Sequence, residues 1–116
     1  MLPKMLRLRQ TFQRPRVPDI PKAVVQALEG AGLPIKRGDT VAVGAGSRGI
    51  ANIDVVVGAT VRWLRDLGAR PFVFPAMGSH GGGTVEGQVS VLEHYGITEG
   101  TMGCPIRATM EVNEVG

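Results

Sequence analysis

The stretch Thr40-Val41-Ala42-Val43-Gly44-Ala45-Gly46-Ser47-Arg48-Gly49-Ile50-Ala51-Asn52-Ile53 decides the fold. Its first four residues are β-branched or small and apolar, follow the Lys36-Arg37-Gly38-Asp39 turn, and read as a buried strand ending at Gly44. The glycines that follow break the strand. From Asn52 to Leu67 the residues Val55, Val56, Ala59, Val61, Trp63 and Leu64 recur at helical spacing, with Arg62, Arg65 and Asp66 toward one end and Gly68 as a stop. A strand that enters a glycine-rich turn and leaves as a helix is the opening unit of an α/β sheet.

The same event occurs again downstream. Pro71-Phe72-Val73-Phe74 is a second short apolar run, Gly78 to Gly83 is a second glycine-rich turn, and Thr84 to His94 reads as a helix. Thr84 is a suitable N-cap, and Glu86 complements the positive first turn. Upstream, Lys22 to Ala31 places Val24, Val25 and Leu28 on one helical face before Gly30 and Gly32. Leu6, Leu8 and Gln10 alternate with Arg7 and Arg9 as in a half-buried strand, and Ala108 to Val115 alternates similarly. Gly96 to Gly100 reads as a loop. The expected order is strand, helix, strand, helix, strand, helix, strand: an open Rossmann-like α/β sheet, mostly parallel, with flanking helices, in a single domain covering 1–116.

Composition bounds the function classes. At 116 residues there is room for one core, and a 43% hydrophobic fraction excludes a disordered chain despite 17 glycines. The +3 net charge is concentrated in the 1–20 arm and just beyond, where Lys4, Arg7, Arg9, Arg14, Arg16 and Lys22 face only Asp19. With 4% aromatic residues, the stacking platforms of single-strand nucleic-acid binders are missing, and the arm reads as the solvated face of a strand. Thr40 to Thr60 is interrupted by Arg48 and Asp54, so it is not a membrane span. One cysteine, Cys104, allows no intramolecular disulfide and favours a reducing compartment. The expectation is a cytoplasmic protein with neither a membrane nor a nucleic-acid partner.

In open α/β sheets ligands bind beyond the carboxyl ends of the strands, where both glycine-rich turns lie. Gly44, Gly46 and Gly49 fit G-x-G-x-x-G, a pattern in which backbone amides approach an anion at a helix N-terminus. The acid that binds ribose in dinucleotide sites is absent after Phe74, which argues against NAD. Arg48 supplies a planar guanidinium for a carboxylate or phosphate, with Asp54 as a competing salt-bridge partner. His80, among Gly78, Ser79 and Gly81 to Gly83, is the candidate acid or base. His94 reads as a charge partner for a helix C-terminus. His80 and His94 lack metal-ligand spacing, so no metal site is expected within the chain. Ser47, Ser79 and Cys104 have no base assignable from chain order.

Three segments carry a family resemblance: Gly46-Ser47-Arg48-Gly49-Ile50-Ala51-Asn52-Ile53, Pro75-Ala76-Met77-Gly78-Ser79-His80-Gly81-Gly82-Gly83-Thr84-Val85-Glu86-Gly87-Gln88, and Tyr95-Gly96-Ile97-Thr98. Together they resemble the N-terminal domain of the nickel-dependent lactate racemase family. The resemblance implies an isomerase, a racemase or epimerase of small 2-hydroxyacid anions, with its active site between two domains. It implies a nickel-pincer cofactor built on a nicotinic-acid-derived mononucleotide. His80 matches the first of the family's two histidine acid/bases, and Arg48 matches the arginine that holds the substrate anion. Gly44, Gly46, Ser47, Gly49, Gly78 and Ser79 are the expected cofactor contacts. The second histidine, a cofactor-tethering lysine and the nickel ligand belong to family segments beyond the match, so the expectation is a lone N-terminal domain, inactive and without bound cofactor, whose partner is the family's C-terminal domain. The better-known members carry an Asp-x-Thr-Arg-Pro-like turn where this chain has Gly46 to Gly49. The alternative reading is a stand-alone phosphate- or mononucleotide-binding α/β module.

Overall fold

The computed structural model describes residues 3–115. Six elements follow in order: α1 (Ile20–Gly30), β1 (Thr40–Ala45), α2 (Ile53–Asp66), β2 (Arg70–Pro75), α3 (Val85–His94) and α4 (Glu99–Met102), with a 3-10 turn at His80–Gly83. The helix starts are locally encoded. Asp19 caps α1 by accepting from the Lys22 amide at 3.0 Å, and Thr84 caps α3 by accepting from the Gly87 amide at 3.1 Å. The expected loop at Gly96 to Gly100 instead opens α4, because Thr98 and Thr101 form a reciprocal capping box. A helix of four residues is too short to leave a periodic signal.

β1 and β2 pair in parallel, from Thr40 opposite Arg70 to Ala45 opposite Pro75. Alternation divides their side chains between two faces. Val43, Ala45 and Val73 join Ile53, Val57 and Val61 of α2, Leu92 of α3, and Ile97, Met102 and Cys104 in one core. Ile53, Val57, Val61 and Leu64 form the buried stripe of α2, and α1 packs against that helix. The opposite face carries Ala42, Phe72 and Phe74, which with Arg107, Ala108 and Thr109 line an open depression of about 580 Å³. The Arg107 guanidinium lies 4.6 Å from the Phe72 ring centre. All the helices that contribute to the core do so on a single face of the sheet.

Two expected strands do not form. At the C-terminal end the ladder shrinks to one parallel bridge, Val73 with Ile106, in which the Val73 amide donates to Pro105 O at 2.9 Å and the Arg107 amide donates to Val73 O at 2.8 Å. The reason lies in β2. Its odd-numbered residues present their backbone groups to this outer edge, and both neighbours of Val73 in that set, Pro71 and Pro75, have no amide hydrogen to donate. Beyond Arg107 the chain leaves the sheet without a further ladder bond. At the other end, residues 3–18 form no element, and Leu6 and Leu8 are 87% and 88% exposed rather than half-buried. Alternation alone cannot make a strand without a neighbouring edge to satisfy its backbone. Among the described residues no helix is long and apolar enough to cross a membrane.

Candidate functional site

Both glycine-rich turns leave the carboxyl ends of the two parallel strands, and the fold brings them into contact. His80 Nδ1 lies 2.6 Å from Ser47 Oγ, joining residues 33 positions apart in the chain. Chain order gave Ser47 no partner; the tertiary structure sets the His80 imidazole beside it. Ser47 is buried and His80 half-buried, so the contact sits at the rim of the core rather than free in solvent. The backbone beneath is continuous with the sheet, since the Ala76 amide donates to Ala45 O at 2.8 Å and prolongs the β1–β2 ladder into the turns.

The first turn is built around backbone donors. Among the described residues, no protein acceptor meets the amides of Ser47, Arg48 or Gly49, and the Arg48 side chain is exposed with no hydrogen bond or ion pair, Asp54 included. Gly46, Ser47, Arg48, Ile50, Ala76 and Met77 line a shallow depression of about 310 Å³. Free amides beside a guanidinium form a binding surface for a small anion. Gly49 supplies the bend with φ 67°. Gly44 serves the sheet instead, because it lies inside β1, where a side chain would meet Phe74 Cζ at 3.1 Å and Ala76 Cβ at 3.2 Å.

The second turn is closed on itself. Gly81, Gly82 and Gly83 take φ of 69°, 75° and 64° in succession, a left-handed run that other residues resist. A Cβ at Gly81 would stand 2.6 Å from the Gly87 carbonyl carbon, and one at Gly87 would overlap Gly81 O, so two backbones touch where two glycines face each other. This contact presses the turn against the first coil of α3. Ser79 precedes the 3-10 turn, is exposed, and makes no capping bond. Gly78 is held through its carbonyl, which accepts from Gln88 Nε2 at 2.6 Å.

Two residues to which the sequence assigned no role organise the site. Gln88, buried on α3, ties down the second turn through Gly78 O, and Tyr95, at the end of the same helix, donates its hydroxyl to Ser47 O at 2.8 Å and ties down the first. Their spacing of seven, with the fully buried Leu92 between them, puts both on the core-facing side of α3. A polar residue on an otherwise apolar helical stripe was the available signal, because a buried amide must find a partner. His94 lies in the last turn of α3, with its ring edge-on to Tyr95 at 5.9 Å. Cys104 lies apart in the core, where burial pushes its thiol pKa up and leaves it a poor nucleophile.

Comparison with family models, curated proteins and solved structures gives no match to this chain. Among the described residues no cluster of three His, Cys, Asp or Glu side chains could hold a metal ion. A nickel ion finds no fitting ligand set among the described residues. An anionic group such as a phosphate or carboxylate does fit the amides of Ser47 to Gly49 with Arg48.

Proposed function

We propose that the two turns form one wall of an active site that inverts the configuration of a small 2-hydroxyacid, with the carboxylate held at Arg48 and the hydroxyl proton handled by His80. The 2.6 Å contact between His80 and Ser47 supports this reading, because it holds the imidazole against the turn that carries Arg48 at the mouth of the parallel strands. When Nδ1–H donates to Ser47 Oγ, the Nε2 lone pair is left to accept a proton from a substrate hydroxyl. The serine fixes the imidazole ring, and Tyr95 fixes the serine's backbone. Arg48 and the neighbouring amides neutralise the substrate carboxylate and set which hydroxyl reaches His80.

Moving the α-hydrogen as hydride requires an acceptor, which the nicotinic-acid-derived cofactor of the resembled family supplies when bound. The chain's own contribution to that group is limited to the anion-binding amides, and metal ligation requires residues from elsewhere. The resemblance also suggests a fuller Rossmann-like sheet than the two strands and single bridge described above, with its second wall provided by a further domain.

The test is hydrogen–deuterium exchange at the α-carbon of a panel of small 2-hydroxyacids, measured on the native gene product with its cofactor complement. His80→Ala and Arg48→Ala are each expected to reduce exchange by at least about a hundredfold, the usual scale for losing a general acid/base, while circular dichroism stays unchanged. Full exchange in His80→Ala would exclude the proton-transfer role. The free amides also favour a second reading, a phosphate- or mononucleotide-binding module without catalysis. It predicts calorimetric binding of a mononucleotide to the 116-residue chain that Arg48→Ala abolishes, with no exchange in any form of the protein.

A further inference from the structure

The two segments that fail to join the sheet match each other. Residues 4–12 and 107–115 both lie outside every helix and strand and are almost wholly exposed, and both alternate apolar with polar side chains. Leu6 and Leu8 are 87% and 88% exposed, and Met110 and Val112 are 46% and 91% exposed. Their charges are largely opposite: Lys4, Arg7 and Arg9 in the first segment, Glu111 and Glu114 in the second after Arg107, whose guanidinium is taken up by the Phe72 ring. Among the described residues, no hydrogen bond involves residues 3–18, so the backbone of the arm is unsatisfied by the protein along its whole length.

An antiparallel register with Leu8 opposite Met110 brings these features together. It sets Leu6 against Val112 on the same face, continues to Lys4 against Glu114 at the end, and sets Arg7 against Glu111 on the other face. A shift by one residue sets Arg9 or Arg7 opposite Met110 and a leucine, Leu8 or Leu6, opposite Glu111, so the Leu8–Met110 and Arg7–Glu111 pairs are lost in either direction.

The placement of the helices points to pairing between two molecules. α2 packs against α1 on one side and α4 on another, while α1 and α4 do not pack closely together. The arm reaches the helical side, where Pro15 and Val17 line a groove with Ile20 of α1 and Val56 of α2, whereas Ala108 and Thr109 of the tail lie on the opposite face of the sheet beside Phe72 and Phe74. The chain as a whole is extended: the radius of gyration is 19.0 Å, against about 13 Å for a compact chain of this length.

We propose that the arm of one copy pairs, through Lys4 to Gln10, with Ala108 to Glu114 of a second copy, and that the exchange is reciprocal about a two-fold axis. Each contact is then made twice, so the dimer covers Leu6 and Leu8 of both copies and forms the Arg7–Glu111 pair on each side of the axis. The unpaired backbone of the arm is satisfied without extending β2 itself.

Sedimentation equilibrium of the 116-residue chain tests this directly. The expected result is a species of twice the 12.3 kDa chain mass. Arg7→Glu and Glu111→Arg are each expected to raise the dimer dissociation constant by about tenfold through two like-charge pairs, and the double variant to restore it. Leu8→Cys with Met110→Cys, in a Cys104→Ala background, should oxidise to a cross-linked dimer. A chain that stays monomeric at millimolar concentration overturns the proposal. So does a cross-link that forms only within one chain, or a dimer that ignores both charge reversals.

Discussion

The two glycine-rich turns occupy equivalent places in the topology and are built on opposite principles. The first, after β1, leaves the amides of Ser47, Arg48 and Gly49 without protein acceptors among the described residues and exposes its arginine. The second, after β2, uses its backbone internally: Gly81 abuts Gly87, and Gly78 O is taken by Gln88. Free donors suit a turn that meets a ligand, because the ligand completes the hydrogen bonding. A locked backbone suits a turn that presents one side chain at a fixed place. Glycine richness by itself does not separate the two uses; the separating observation is what lies where each absent Cβ would be.

That contrast breaks most readily at Gly87. An alanine there would drive its methyl into Gly81 O, and with backbone on both sides neither partner can rotate away. Gly87→Ala is expected to destabilise the fold by about 3 kcal/mol or more, read from urea denaturation, with loss of the ordered second turn. Gln88→Ala comes next. It leaves Gly78 O without its buried donor and empties part of the α3 interface, for an expected cost of about 2 kcal/mol, with His80 loosened relative to Ser47 in an NMR exchange measurement. The smallest effect is expected in the first turn. A side chain at Gly49 meets nothing within 4 Å, so Gly49→Ala carries only the left-handed strain of φ 67°, about 1 kcal/mol in the same denaturation experiment. A Gly49→Ala loss equal to that of Gly87→Ala would erase the distinction between the turns.

Much of the fold was legible locally. The β-branched run at Thr40 to Val43, the apolar spacing from Val55 to Leu64, and Thr84 before α3 each carry their own secondary-structure signal, and each stands within a residue or two of where it was expected. The terminal strands misled because Leu6 to Gln10 and Ala108 to Val115 alternate as strands do, yet a strand depends on a free edge elsewhere. Prolines 71 and 75 were visible in the sequence throughout; that both point to the edge the tail would need is a matter of register. The candidate site divides in the same way. His80 and Arg48 stand out by residue type among glycines, whereas Gln88 and Tyr95 act through carbonyls in turns 10 and 48 residues away.

What the sequence determined alone was the succession from α1 to α3, the places where glycines turn the chain, and the charge on its two ends, because these depend on side-chain size, backbone freedom and spacing within a few residues. The tertiary structure alone decided that Ser47 meets His80, that one glycine turn is free while the other is locked, and that the sheet stops at two strands. Those outcomes turn on distances between segments far apart in the chain, where one backbone takes or blocks the hydrogen bonds of another.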